Sequence, residues 1–149
     1  MSTTLFDAKP FDEKRARRKA LIIWTIIGSV ILLAMLAWWF RYWPEEHKVD
    51  QFFTALEQKN YEKAYGIWTN DPNWKQHQES HAKYPFGEFY IDWGPGGEWG
   101  LIKSHKVDGA ASPKGGSSGV VVVVTVNDRA EKARIWVEKS DKTLSFSPY

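Results

Sequence analysis

The sequence predicts an α+β domain, about three helices packed on a four-stranded antiparallel sheet, carried on one N-terminal transmembrane helix. Three observations lead there. Residues 20–40 form an apolar run without a single charge. From Val49 to Trp93 the apolar residues repeat at helical spacing. After Gly94-Pro95-Gly96-Gly97 the period changes from 3.6 to 2, the mark of strands.

The apolar run ALIIWTIIGSVILLAMLAWWF spans roughly 30 Å as a helix, the thickness of a bilayer's hydrocarbon core. It is too long, and ends in residues too bulky, for a cleaved signal peptide. Lys14, Arg15, Arg17, Arg18 and Lys19 lie just before it, whereas Arg41 and Lys48 are the first basic residues after it. This asymmetry predicts a cytoplasmic tail over 1–19 and an extracytoplasmic C-terminal part. Trp38, Trp39, Tyr42 and Trp43, with Phe40 among them, predict an aromatic belt at the far membrane interface. Thr25 and Ser29 flank Gly28, a small-residue site where a second helix can approach. Pro44 breaks the pattern, so residues 41–48 read as a juxtamembrane linker and 49–149 as the domain.

Val49, Phe52, Phe53 and Leu56 form the stripe of a first domain helix, which Lys59-Asn60 interrupts. Tyr61, Ala64, Tyr65 and Trp68 form a second, ended by Asn70-Asp71-Pro72. A polar stretch from Asn73 to Lys83 leads to a third, made by Phe86, Phe89, Tyr90 and Trp93. Four strands are then expected. Trp99–Val107 is the first, and a Gly/Ser/Pro-rich loop from Gly109 to Gly119 follows. Val120–Val126 is β-branched up to Thr125 and reads as a central strand covered on both faces. Ala133–Val137 alternates as a third strand, and Thr143–Ser147 closes the sheet.

The helix pair VDQFFTALEQKNYEKAYGIWT, followed by a third helix and four strands, resembles membrane-anchored members of the NTF2-like (cystatin-like) superfamily. The resemblance covers about residues 45–149 and rests on packing residues. It implies a curved sheet wrapped around a helix with a cone-shaped cleft. Enzymes, ligand binders and non-catalytic partner domains all use that fold, so it does not fix function.

Composition narrows the function classes. There is no cysteine, which excludes disulfides, thiolate metal sites and thiol catalysis. Residues 44–149 hold 13 Lys/Arg against 15 Asp/Glu, a net −2 that offers no footprint for nucleic acid. Neither glycine-rich segment fits a phosphate or dinucleotide loop, and no cofactor is expected. His77 and His81 are four apart, the spacing at which two imidazoles on a helix share a metal. Gln78 stands where a zincin has Glu, which argues against that chemistry. Asp92 and His105 are the acid–base candidates, because in NTF2-like isomerases and dehydratases such side chains project into the cleft. Trp68, Tyr90, Trp93, Trp99 and Trp136 are the candidate lining of an apolar ligand cleft.

The expected whole is a non-enzymatic, single-pass protein of a bacterial inner membrane, its domain docking another membrane or envelope protein. The lack of a transit-peptide pattern and of any Asn-x-Ser/Thr acceptor favours that membrane. An alkaline phosphatase fused after Tyr149 is predicted to be active, and a cytoplasm-dependent reporter there silent; the reverse pattern overturns the orientation.

Overall fold

The computed structural model describes residues 12–149, so the first part of the basic tail lies outside the described residues. Helix α1 runs Glu13–Trp39, and Asp12 caps it by accepting hydrogen bonds from the Lys14 and Arg15 backbone N–H groups. The basic residues 14–19 are thus helical. No residue of α1 is buried. An 18-residue window in it has mean hydropathy 2.6, long and apolar enough to cross a membrane. Thr25 spends its hydroxyl on the Leu21 carbonyl at 2.8 Å.

The chain divides into two compact units, Met1–Arg41 and Tyr42–Tyr149. The second is an α+β unit built from α2 (Trp43–Glu57), α3 (Tyr61–Trp68), α4 (Phe86–Trp93) and four strands. The expected linker is shorter than 41–48, because Trp43–Lys48 form the first turns of α2. Pro44 starts this helix instead of breaking one: at the first helical positions its missing N–H costs nothing. Lys59, at φ 57°, ends α2, and the Asn60 side chain caps α3 through the Lys63 N–H. The polar stretch before α4 forms two short 3-10 turns, Trp74–Gln76 and Gln78–His81.

Strands β1 (His105–Ala111), β2 (Gly119–Val126), β3 (Lys132–Glu138) and β4 (Leu144–Phe146) pair in sequence order, all antiparallel, as an open sheet. Two expectations are corrected. The first strand is not Trp99–Val107 but starts at His105 and runs into the expected loop. The Asn127 side chain explains the late start. Its oxygen accepts from the Lys103 N–H at 2.7 Å and its amide donates to the Leu101 carbonyl at 3.0 Å. The backbone there is satisfied without a strand partner. Gly109, at φ 152° beside an irregularity in the register, lets β1 continue.

The second correction concerns β2. Val120, Val122, Val124 and Val126 are fully buried, but Val121 and Val123 are only half-buried. The domain helices pack on one face of the sheet, so the two-sided burial that the valine run suggests is met on one side.

The core between helices and sheet is aromatic. Phe52 lies 5.0–6.1 Å, centroid to centroid, from Phe53, Trp68, Phe89 and Trp93, mostly edge-on. Tyr65 continues the cluster to Trp74, Phe86 and Phe89. Fully burying one such side chain stabilises the fold by about 1.5–3 kcal/mol, with tilted and edge-on ring pairs adding about 0.5–1.5 kcal/mol. Phe52→Ala is predicted to cost about 3–5 kcal/mol by urea unfolding, the range for emptying a buried aromatic site. Phe146→Ala, at a residue 52% exposed, is predicted to cost well under half as much.

Candidate functional site

The mouth between helices and sheet is where a cleft was expected, and aromatic rings fill it. Trp68, Trp93 and Trp99 are core residues, 4%, 2% and 8% exposed. Phe146 of β4 lies parallel to Trp93 with centroids 5.8 Å apart and also touches Trp68 and Tyr84. It therefore closes the mouth. Two shallow grooves flank it: one of about 550 Å³ by Trp99, Arg134 and Ile135, another of about 330 Å³ by Ile91, Gly97 and Trp99.

The five cleft candidates do not share one cavity. Tyr90 sits on the outside of α4, edge-on to Tyr61 at 5.0 Å, because Phe89 and Trp93 take the inward face. Trp136 alternates with buried Ile135 and Val137 and so belongs to the other face of the sheet. There its ring covers Gly119, where an added Cβ would meet ring atoms at 2.3 Å.

Asp92 and His105 are likewise engaged separately. Tyr84 donates its hydroxyl to Asp92 at 2.7 Å. Burial, reinforced by that bond, pushes the Tyr84 hydroxyl well above the usual tyrosine range. His105 sits on β1 facing α2, its side chain 8% exposed. Its Nδ1 lies 2.5 Å from Glu57 Oε1 and its Nε2 3.0 Å from Asp50 Oδ1, while the ring stacks on Phe53. Each ring nitrogen thus faces a carboxylate oxygen at hydrogen-bonding distance. His105 ties helix to sheet.

His77 Nδ1 and His81 Nε2 both reach Asp71 Oδ2, at 2.8 and 3.0 Å. With a proton on each of those nitrogens, they present N–H groups to a carboxylate instead of lone pairs to a metal. Among the described residues no group of three potential ligands is arranged to hold a metal ion. The hydrogen bonds from His81 and His77 hold the Asp71 carboxyl below the ordinary range. Sequence spacing paired the histidines with each other; Asp71, read as a turn residue, is the group that joins them.

A third polar cluster was not anticipated. Glu45 in the first turn of α2 is 6% exposed and accepts from Lys142 Nζ at 2.6 Å, while its Oε2 has no hydrogen-bond partner. Lys48 donates to Asn70 at 2.5 Å, and Asn70 donates to the Asp141 carbonyl at 2.8 Å. Together they clasp α2 to the β3–β4 turn. Burial lowers the Lys48 ammonium from its usual value. Lys48, Lys63, Lys75 and Trp74 also line an open groove of about 720 Å³.

The expected interface aromatics divide between the units. Trp38 and Trp39 are 72% and 81% exposed, and the Arg41 guanidinium stands over the Trp38 ring. Tyr42 packs on the domain core instead, and Trp43 stacks on His47. Lys14, Arg15, Arg17, Arg18 and Lys19 are exposed on α1. Comparison with known proteins finds no matching family, no similar curated protein and no similar solved structure.

Two predictions test these assignments. His105→Ala brings Glu57 and Asp50 together without their shared donor and is predicted to cost about 1–3 kcal/mol in thermal or urea unfolding. Asp71 stays charged in the folded protein at pH values where the unfolded chain takes up a proton. Its contribution is complete above about pH 4 and lost as pH falls through its depressed folded value. Asp71→Asn should flatten the acid limb of a stability–pH curve, and an unchanged limb contradicts the assignment.

Proposed function

We propose that this chain is a single-pass membrane protein whose NTF2-like domain, outside the cytoplasm, docks another envelope or membrane-complex protein without doing chemistry itself. One observation carries the reading. Asp92, His105, His77 and His81, the acid–base and metal candidates, are each engaged in a structural contact, while apolar side chains stand exposed around a closed mouth. Asp92 is held by Tyr84, His105 by two carboxylates, and His77 with His81 by Asp71. Ile91, 70% exposed, and Phe146, 52% exposed, flank the groove beside Trp99. Apolar groups left in water beside a concave surface are what a protein partner covers.

The charge asymmetry about residues 20–40 supports the orientation. A bacterial inner membrane remains the compartment we favour. The uncharged part of α1 after Lys19, with no buried residue, supports a helix in lipid.

A second reading has its own support: the groove by Trp99, Arg134 and Ile135 is large enough for a small apolar or peptide ligand. The two separate in one experiment. The tagged full-length protein is cross-linked briefly, solubilised in mild detergent and purified with whatever follows it. Docking predicts a stoichiometric envelope protein that is reduced at least severalfold by Ile91→Glu. A preparation without a partner, combined with tryptophan fluorescence that responds to a lipid, quinone or peptide panel, favours the ligand reading.

A further inference from the structure

The outer face of the sheet carries a pattern that a solvated face does not need. An antiparallel sheet covered on one side normally alternates apolar-in with polar-out. On β3 the outward residues Lys132, Arg134 and Glu138 obey this, with Trp136 the exception. On β2 the outward residues are Val121, Val123 and Thr125, and the two valines are half-buried and not covered by the domain helices. Among the described residues Tyr149 reaches this face at the Trp136 ring, with centroids 5.9 Å apart, and the two valines have no helix over them.

The pairing registers lay this face out in rows. Ala111, Val121, Trp136 and Ser145 are cross-strand partners and form one row. The next row in one direction holds Gly109, Val123 and Arg134. The next in the other direction holds Gly119 and Glu138. The middle row is thus mainly apolar, with a cation on one side and an anion on the other. Lys132 is already paired with Asp108 at 3.1 Å. Among the described residues neither Arg134 nor Glu138 has an oppositely charged side chain within ion-pair reach.

We propose that this face docks a second copy of the chain, face to face, through a two-fold axis lying over the Ala111–Ser145 row and perpendicular to the strands. That operation lays each residue of the row over its own counterpart. It also brings Arg134 of each copy opposite Glu138 of the other, so the charges complete each other across the contact. The ring of Trp136 leans over Gly119 and bonds toward Glu138 at 3.4 Å. It is therefore carried toward Val123 and Arg134 of the second copy, an aromatic anchor on an apolar and cationic surface. A partner of different sequence has no reason to match charges placed symmetrically about the row. A second copy matches them by construction.

The chain has no cysteine, so a single introduced one reports on one position. Ala111→Cys and Ser145→Cys, at the two ends of the row, are each made in the full-length protein in mild detergent. Both are treated with a bis-maleimide spanning about 10 Å, the spacing of sheets packed face to face. Both are expected to give covalent dimers, whereas Asn73→Cys on the helix side is not. Light scattering on the unlinked protein is expected to give the mass of a dimer. R134E or E138R alone is expected to weaken it on the order of tenfold or more by setting like charges opposite each other, and R134E/E138R together to restore it. A monomer at all concentrations, equal cross-linking at Asn73→Cys, or a dimer indifferent to both reversals overturns the proposal. A monomer that still brings down a different envelope protein leaves the docking function standing and removes the second copy.

Discussion

The structure of the domain depends on one constraint: a single layer of aromatic rings must fill the space between three helices and one sheet. Phe52 meets Phe53, Trp68, Phe89 and Trp93, so every helix contributes to the same cluster. Close packing of this kind leaves little slack, and a ring removed from its centre has no neighbour free to replace it. With no cysteine to staple the chain, the cluster is the main source of cohesion. It also sets the character of the domain, because rings that fill the interior leave the grooves of the domain at its surface.

Polar contacts hold the periphery of that layer. His105 ties β1 to α2 through two carboxylates, Glu45 with Lys142 ties α2 to the β3–β4 turn, and Asp71 gathers two histidines below α3. The first two join elements distant in sequence, and the third closes the local turn after α3. Partly buried ion pairs add little net stability compared with apolar residues of the same shape, but removing one member leaves an uncompensated charge. They fix how the elements meet more than they drive the elements together.

The helices were legible because their inward residues recur at helical spacing: Val49, Phe52, Phe53 and Leu56, then Tyr61 to Trp68, then Phe89 and Trp93. The first strand was misplaced because the residue that decides its start, Asn127, lies more than twenty positions away. No local pattern in Trp99–Ser104 announces that a remote amide satisfies its backbone. Pro44 was ambiguous on its own, since the same ring ends one helix and begins another. The five cleft candidates lie apart for a geometric reason. Aromatic residues were grouped by type, whereas the period of α4 turns Tyr90 outward and the pleat of β3 sends Trp136 to the opposite face. His105 was singled out from sequence, but Glu57 and Asp50, its partners, lie 48 and 55 residues before it and carry no sequence signal of the pairing.

The most direct measurement is fluorine NMR of the full-length protein labelled with 5-fluorotryptophan, with Trp68 and Trp93 assigned by single Trp→Phe substitutions. A filled interior predicts one sharp resonance for each of the two, unmoved when small aromatic or quinone-like solutes are added. Split resonances for Trp68 and Trp93, or shifts that saturate with a solute, would mean that the mouth opens and the interior is a binding cavity.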